Sequence, residues 1–511
     1  MVGDVAAYTP TDCPTAEKRG YLGDASFASP GTLWNFDFGS VYRSFATVIA
    51  DSQHPSGEVP DSVPCPHPHI EASPCGGGAT WDFPVRWGPA WCNDVAWTSG
   101  FPLIAARAYE FSGDPRSAAA HWGSLTRYIE NLIAKAGHFA NNVTACDPGE
   151  SYWHGENLAL GDWCAPANCT GRPAGSRCQI SAEMSGFSYV MSLRAMAALA
   201  AAVKDDAAHA RYAALAAAAT AGFHTNHWNE ALASYGGDEG VVQTLNVPAL
   251  ALGSAPSPKQ RGQVAAAIRH DLEARTNYHL STGAVMSNWL LNVLSDNSMH
   301  DAALRVASQT TFPSWGWWLA MNATTCWETW HNGTGHHTGI GPFLGSVNSH
   351  NHVFLCGGVS QWMWNQLAGI KSTAPGFATV SVAPRVDPAL GPASVVARYR
   401  TPRGVVKVAW NRTDAAVRLR VQIPVGIEAA VVSVPTPFGG AHTIAESGID
   451  VWDGASVQHA GLATQRLQWL PDKSNTHRVS FAVGSGRYVF VAAAAAAAGA
   501  ALGGHSASPP L

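Results

Sequence analysis

The segment Asp12-Cys13-Pro14-Thr15-Ala16-Glu17-Lys18-Arg19-Gly20-Tyr21-Leu22-Gly23-Asp24 gathers the carboxylates Asp12, Glu17 and Asp24 in a chain where only 13% of residues are charged. Pro14, Gly20 and Gly23 disfavour a regular helix, so the segment reads as a loop that projects acidic groups and the Tyr21 ring. Loops held on a rigid scaffold are where chemistry is usually placed. On composition alone a simpler account serves: a solvated acidic turn with Lys18 and Arg19 as local partners.

Further stretches occur in order down the chain. They are Gly161-Asp162-Trp163, Phe312-Pro313-Ser314-Trp315-Gly316 and Thr324-Thr325-Cys326-Trp327-Glu328-Thr329-Trp330. Ser349-His350-Asn351-His352 follows, then Gly357 and Gly369-Ile370. Together with the opening segment they resemble the signature motifs of the bacterial and fungal α-L-rhamnosidases, glycoside hydrolase family seventy-eight. The opening segment resembles the family's D-C-P-T-x-E-K-x-G-(W/Y)-x-G-D. The resemblance spans roughly residues 9 to 370 and continues more weakly to about 492.

That resemblance implies an inverting glycosidase acting on a rhamnose-containing glycoside or polysaccharide. Inversion needs a protonated carboxyl at the leaving oxygen and an ionised one behind a water, roughly 6.5–9.5 Å apart. The resemblance carries Glu17 over as general acid and Glu328 as general base. It gives Asp12 and Asp24 to the rhamnose hydroxyls, with Tyr21, Trp97, Asp162, Trp163 and His352 as further sugar contacts. Like charges at Asp12 and Asp24 would help Glu17 keep its proton. For His352, Trp97 and Trp163 ordinary core packing is the competing account, and for Glu328 a helix-capping role. Ala16 stands where many family members carry Arg, which removes a guanidinium beside the acid. Two other readings compete: another α/α-barrel exo-glycosidase with a different sugar, and a degenerate relative that only binds carbohydrate.

The residue pattern agrees with a mainly α fold. Apolar residues recur at helical spacing over Ser26 to about Ala50, Trp97 to Ser112, Ser117 to Ala136, Ala182 to Val203 and Asp206 to Trp228. They continue over Gln243 to Leu252, Pro258 to Arg275, Ser281 to Leu294 and Ala302 to Thr310. No buried strands alternate with these helices, which argues against a parallel α/β sheet. A toroid of helical hairpins is expected, and the family's (α/α)6 barrel agrees. Residues 51–90 and 141–180, rich in Pro, Gly and Cys, read as long structured loops.

After Gly369-Ile370, Val-rich runs near 380, 395, 405, 417–423, 431–434, 479–483 and 488–491 read as short strands. They suggest a small antiparallel β-sandwich, as in the family's C-terminal domain. The expected organisation is a catalytic barrel over 1–370, a sandwich over 371–491 and a low-complexity, disordered tail over 492–511. Only eleven residues precede Asp12, fewer than the family's first barrel helix needs, so a truncated N-terminus is expected.

At 511 residues two domains are the prior. A net charge of −5 gives no reason to expect nucleic acid or an anionic membrane as partner. The 20 Trp against 31 Lys+Arg suit a sugar site, because sugars offer flat C–H faces to aromatic rings. The 10 cysteines contain no C-x-x-C pair, so no zinc site and no cofactor is expected. Clusters at Cys65/Cys75 and Cys146/Cys164/Cys169/Cys178 suggest loop-stapling disulfides, with the pairing open. With sequons at Asn142, Asn168, Asn322, Asn332 and Asn411 they point to a secreted or vacuolar-lumen protein. No signal peptide or membrane span is evident.

Overall fold

The computed structural model describes residues 10–14, 18–64, 94–138, 161–166, 174–236, 242–330, 349–436, 442–453, 467–470 and 478–494. Glu17 and Ala16 lie outside these residues, as do Cys65, Cys75, Cys146, Cys169 and the tail beyond 494. The chain divides into one unit of residues 1–109 and 115–359, and another of 110–114 and 360–511.

The first unit is built from helices: α1 (Leu22–Asn35), α2 (Gly39–Asp51), α3 (Val95–Thr98), α4 (Gly100–Ser112), α5 (Arg116–His138), α6 (Ala174–Ala202) and α7 (Asp206–His227). They continue with α8 (Val242–Leu252), α9 (Pro258–His270), α10 (Ser287–Asp296), α11 (His300–Ala307), α12 (Trp315–Ala320) and α13 (Gly357–Trp362). Burial separates them into two kinds. α1 is buried from Leu22 through Trp34, and α8 is buried along almost its whole length. α7 buries only Tyr212, Ala216 and Phe223. A helix apolar all round sits inside, and one with a single apolar stripe covers it from outside. The inner members pack in sequence order, α1 on α3, α3 on α6, α6 on α8 and α8 on α10; α7, α9 and α11 each pair with the inner helix before them.

α13 closes the ring. A Cβ on Gly357 would lie 2.1 Å from the Phe27 carbonyl oxygen in α1, and one on Gly358 would lie 2.3 Å from Asn288 Cα in α10. Neither glycine tolerates a side chain, because two neighbouring backbones occupy that space. Asn288 fastens the contact: its Nδ2 donates to the Phe354 carbonyl at 2.8 Å, and its Oδ1 accepts from the Gly358 amide at 2.6 Å.

Several boundaries differ from expectation. Leu22, Gly23 and Asp24 belong to α1 rather than to a loop, because this turn is buried and Gly23 lets the Trp97 indole approach to where a Cβ would be 2.6 Å away. The apolar run over 26–50 is two helices. The stretch 281–286 is not helical; its amides are drawn off by the Asp162 carboxylate.

In the second unit, a five-stranded sheet has the order 467–470, 478–483, 429–435, 379–382, 370–372, and a six-stranded sheet the order 449–452, 442–446, 486–494, 416–423, 404–412, 394–401. Alternate burial along 416–423 and 478–483 turns every second side chain inward. Phe481 and Phe490 stack between the sheets at 5.5 Å. All pairings are antiparallel except 379–382 with 429–432, which run parallel.

Candidate active site

Two distant segments converge in the first unit. The opening loop is tied by reciprocal hydrogen bonds: the Asp12 amide donates to the Arg19 carbonyl, and the Arg19 amide to Asp12 Oδ1, each at 2.8 Å. Cys13 is a buried thiol whose Sγ–H donates to Asp12 Oδ2 at 3.0 Å. Gly20 and Tyr21 pair with Val63 and Ser62 before α1 begins, and α1 carries Asp24 into the core. Asp94 caps α3 through the Ala96 and Trp97 amides, which aims Trp97 Nε1 at Asp24 Oδ2, 2.9 Å away.

The second segment is a pair of irregular stretches, 325–330 and 349–353, held side by side by backbone hydrogen bonds. The Glu328 amide donates to the Ser349 carbonyl at 2.9 Å, and the His352 amide to the Cys326 carbonyl at 2.8 Å. Thr325 Oγ1 donates to the His350 carbonyl. A Cys326–Cys356 disulfide crosses the same pair, and Trp327 stacks on His350 at 4.6 Å. Trp330 is fully buried, parallel to Trp318 at 4.8 Å, with Nε1 on the Thr282 carbonyl. Glu328 is thus fixed on both sides, and the Ser349 amide donates to its Oε2 at 2.9 Å.

His352 joins the two segments. Its Nε2 lies 2.6 Å from Asp24 Oδ1 and its Nδ1 lies 3.9 Å from Glu328 Oε2. Burial works against charge on this imidazole, but the bond to Asp24, the Cys13 contact and the charges of Asp24 and Glu328 outweigh it. They hold its pKa well above the ordinary value. Asp12 is pushed up to about 9, by burial first and then by the Asp24 charge, with His352 opposing.

The opening motif and the far segment therefore bring Asp12, Asp24, Trp97, Glu328 and His352 together. Asp12, Asp24 and Trp97 are almost fully buried, whereas the Glu328 side chain is 12% exposed and so stands at the rim. Tyr21 is buried rather than presented as an open face. Trp163 is partly exposed. Asp162 departs from the expected sugar contact. It is fully buried, and its carboxylate accepts from Thr244 Oγ1 and from the Gly283, Val285 and Met286 amides at 2.8–3.0 Å. Burial raises its pKa while these four donors resist the rise. The geometry makes Asp162 the anchor of the loop before α10. Sequence reasoning missed the Cys326–Cys356 link and the part played by Ser349, although both cysteines stand inside or beside motifs it had quoted.

Residues 6–367 match the family model described as the bacterial alpha-L-rhamnosidase 6 hairpin glycosidase domain, and residues 369–442 match the bacterial alpha-L-rhamnosidase C-terminal domain. An alpha-L-rhamnosidase of Formosa agariphila is 24% identical over 428 residues, covering 84% of this chain and 41% of that protein. One from Streptomyces avermitilis is 30% identical over 241 residues, 46% of this chain and 22% of the relative. Among solved structures, an alpha-L-rhamnosidase from Dictyoglumus thermophilum superposes with a TM-score of 0.76 at 25% identity, covering 96% of this chain and 48% of the other. The Streptomyces avermitilis alpha-L-rhamnosidase complexed with L-rhamnose shares the fold, with a TM-score of 0.71 at 20% identity over 94% of this chain and 39% of that one. The chain thus spans under half the length of each of these relatives.

Proposed function

Because the chain belongs to the bacterial alpha-L-rhamnosidase six-hairpin glycosidase family, we propose that it removes terminal α-L-rhamnose from a glycoside or polysaccharide with inversion at the anomeric carbon. The observation that carries this reading is the fixing of Glu328 beside His352, whose other ring nitrogen meets Asp24 of the opening motif.

In this reading Glu328 takes the proton from the attacking water. The Ser349 amide holds one carboxylate oxygen in place and so orients the group as a base. The charged His352 faces the same carboxylate and is itself held by Asp24. Glu17, on the strength of its motif, donates to the leaving oxygen from the opposite face of the sugar. Asp12, kept protonated by burial, and Asp24 supply a donor and an acceptor of complementary kind for sugar hydroxyls. The roles of Tyr21, Trp97 and Trp163 as sugar contacts belong to the same proposal.

The test is release of aryl alcohol from an aryl α-L-rhamnoside beside a panel of other aryl glycosides. Glu328→Gln and Glu17→Gln are each expected to slow release by about 10²–10⁴-fold while the protein stays folded. Full activity in either variant contradicts the roles given, and preference for another sugar contradicts the substrate.

We also propose passage through an oxidising, secretory compartment. The Cys326–Cys356 disulfide and the exposed turn that carries the Asn322 sequon support it. No helix among the described residues is long and apolar enough to cross a membrane.

A further inference from the structure

Asp12, Cys13 and His352 each offer a ligand atom, and these atoms lie within 4.8 Å of one another in a fully buried cluster. Residue spacing does not reveal this cluster, because one ligand comes from the far end of the barrel. Two details of His352 extend the observation. Its Nδ1 is buried and makes no hydrogen bond, in a side chain only 5% exposed. Its other nitrogen meets the Asp24 carboxylate at 2.6 Å. A metal-ligating histidine characteristically donates its second ring N–H to a carboxylate in this way, which sets the tautomer and strengthens the ligand.

We propose that this cluster is a binding site for a thiophilic divalent cation, with Zn²⁺ as the type, and that its occupation blocks the candidate active site. The donor set is one sulfur, one imidazole nitrogen and one carboxylate; Glu328 Oε2, 3.9 Å from Nδ1, stands outside that set. Mixed S, N and O donors in a four-coordinate shell suit Zn²⁺, whereas Ca²⁺ and Mg²⁺ take six or more oxygens. Tetrahedral bonds of about 2.0–2.3 Å put ligand atoms about 3.5–3.8 Å apart. Asp12 Oδ2 and Cys13 Sγ stand 3.0 Å apart and no pair of the three ligand atoms is more than 4.8 Å apart, so shifts of roughly 1 Å bring them to that spacing. On binding, the Cys13 S–H, the Asp12 carboxyl O–H and the His352 Nδ1–H bonds break, the three protons go to solvent, and the freed electron pairs form the metal–sulfur, metal–oxygen and metal–nitrogen bonds. The cation then occupies Asp12 and His352 and draws on Glu328, so neither the sugar nor the attacking water finds its partners. The blocking part of this proposal rests on the functional reading above; the binding part does not.

Co²⁺ and Zn²⁺ titrations of the full, chelator-treated chain test it. Wild-type protein is expected to take one equivalent of Co²⁺ with a thiolate-to-cobalt charge-transfer band that Zn²⁺ abolishes. Cys13→Ser is expected to lose the band and at least tenfold in Zn²⁺ affinity, measured against a chromophoric chelator. Should that variant not fold, X-ray absorption at the zinc edge of the wild type is expected to find one sulfur at about 2.3 Å. Absence of the band in wild type, unchanged affinity in Cys13→Ser, or a sulfur-free zinc shell overturns the site. Rhamnoside hydrolysis by the metal-free chain is assayed separately. A chain that binds Zn²⁺ through Cys13 but cleaves no rhamnoside keeps the site and loses the functional reading; an active chain without such binding loses the site alone.

Discussion

His352 Nε2 and Asp24 Oδ1 meet at 2.6 Å although 328 positions separate them in sequence. Both side chains are 5% exposed. The pair brings a helix from the start of the barrel onto an irregular segment from its end. Removing one partner of such a pair leaves an uncompensated buried charge, which costs about 3–5 kcal/mol. His352→Asn is expected to lower stability by an amount of that order in denaturant unfolding. A double variant with Asp24→Asn is expected to lose less than the two single losses added together.

The same cluster sets a pH dependence of stability. Asp12 titrates near 9 in the folded chain against 3.8 as its ordinary value. Between those limits the folded state holds a proton that the unfolded state has given up, so stability falls as pH rises. His352 acts in the same direction: its raised pKa contributes stability that is complete below about 6.5 and is lost as pH rises through the folded value. The melting temperature is expected to fall steadily from about pH 5 to about pH 9. Asp12→Asn is expected to flatten that slope, and an unchanged slope would remove Asp12 from the account.

The Cys326–Cys356 bridge encloses a 30-residue separation that contains Glu328. Replacing both cysteines by Ser is expected to cost about 2–4 kcal/mol. It is also expected to lower the turnover rate, because the segment carrying Glu328 is held by backbone hydrogen bonds on the segment carrying His352. Stability loss with unaltered turnover would separate the bridge from the site.

Asp162 offers a contrast. Asp162→Ala leaves Thr244 Oγ1 and the Gly283, Val285 and Met286 amides without their acceptor. Each buried donor left unsatisfied costs about 1–3 kcal/mol. The melting temperature is expected to drop sharply, while KM for an aryl rhamnoside, measured below that melt, is expected to stay close to wild type. A large rise in KM with stability intact would return Asp162 to the sugar contacts.

Much of this architecture can be read from residue pattern. The long helices α5, α6 and α7 announce themselves by apolar spacing and by breaks such as Gly113-Asp114-Pro115 and Lys204-Asp205. What pattern misses is tertiary in origin. The stretch 281–286 has helical periodicity, but a buried carboxylate from Asp162 competes for its amides and wins. The start of α13 carries two adjacent glycines, which by propensity argue against a helix; close packing on Phe27 and Asn288 demands them. α12 is six residues long and largely tryptophan, too short for any periodic signal. For the site, motif likeness picked out Asp12, Asp24, Trp97, Glu328 and His352, yet it could not reveal how Cys13 and Ser349 attach to them. Those contacts depend on side-chain geometry across segments that sequence keeps apart.

Inversion requires displacement at the anomeric carbon by a water that Glu328 activates on the face opposite the leaving group. Proton NMR of the anomeric signals during early hydrolysis of an aryl α-L-rhamnoside reads this directly. Inversion makes β-L-rhamnose the first product, with the α anomer growing in only as the free sugar mutarotates. First appearance of the α anomer, in wild type, would contradict it.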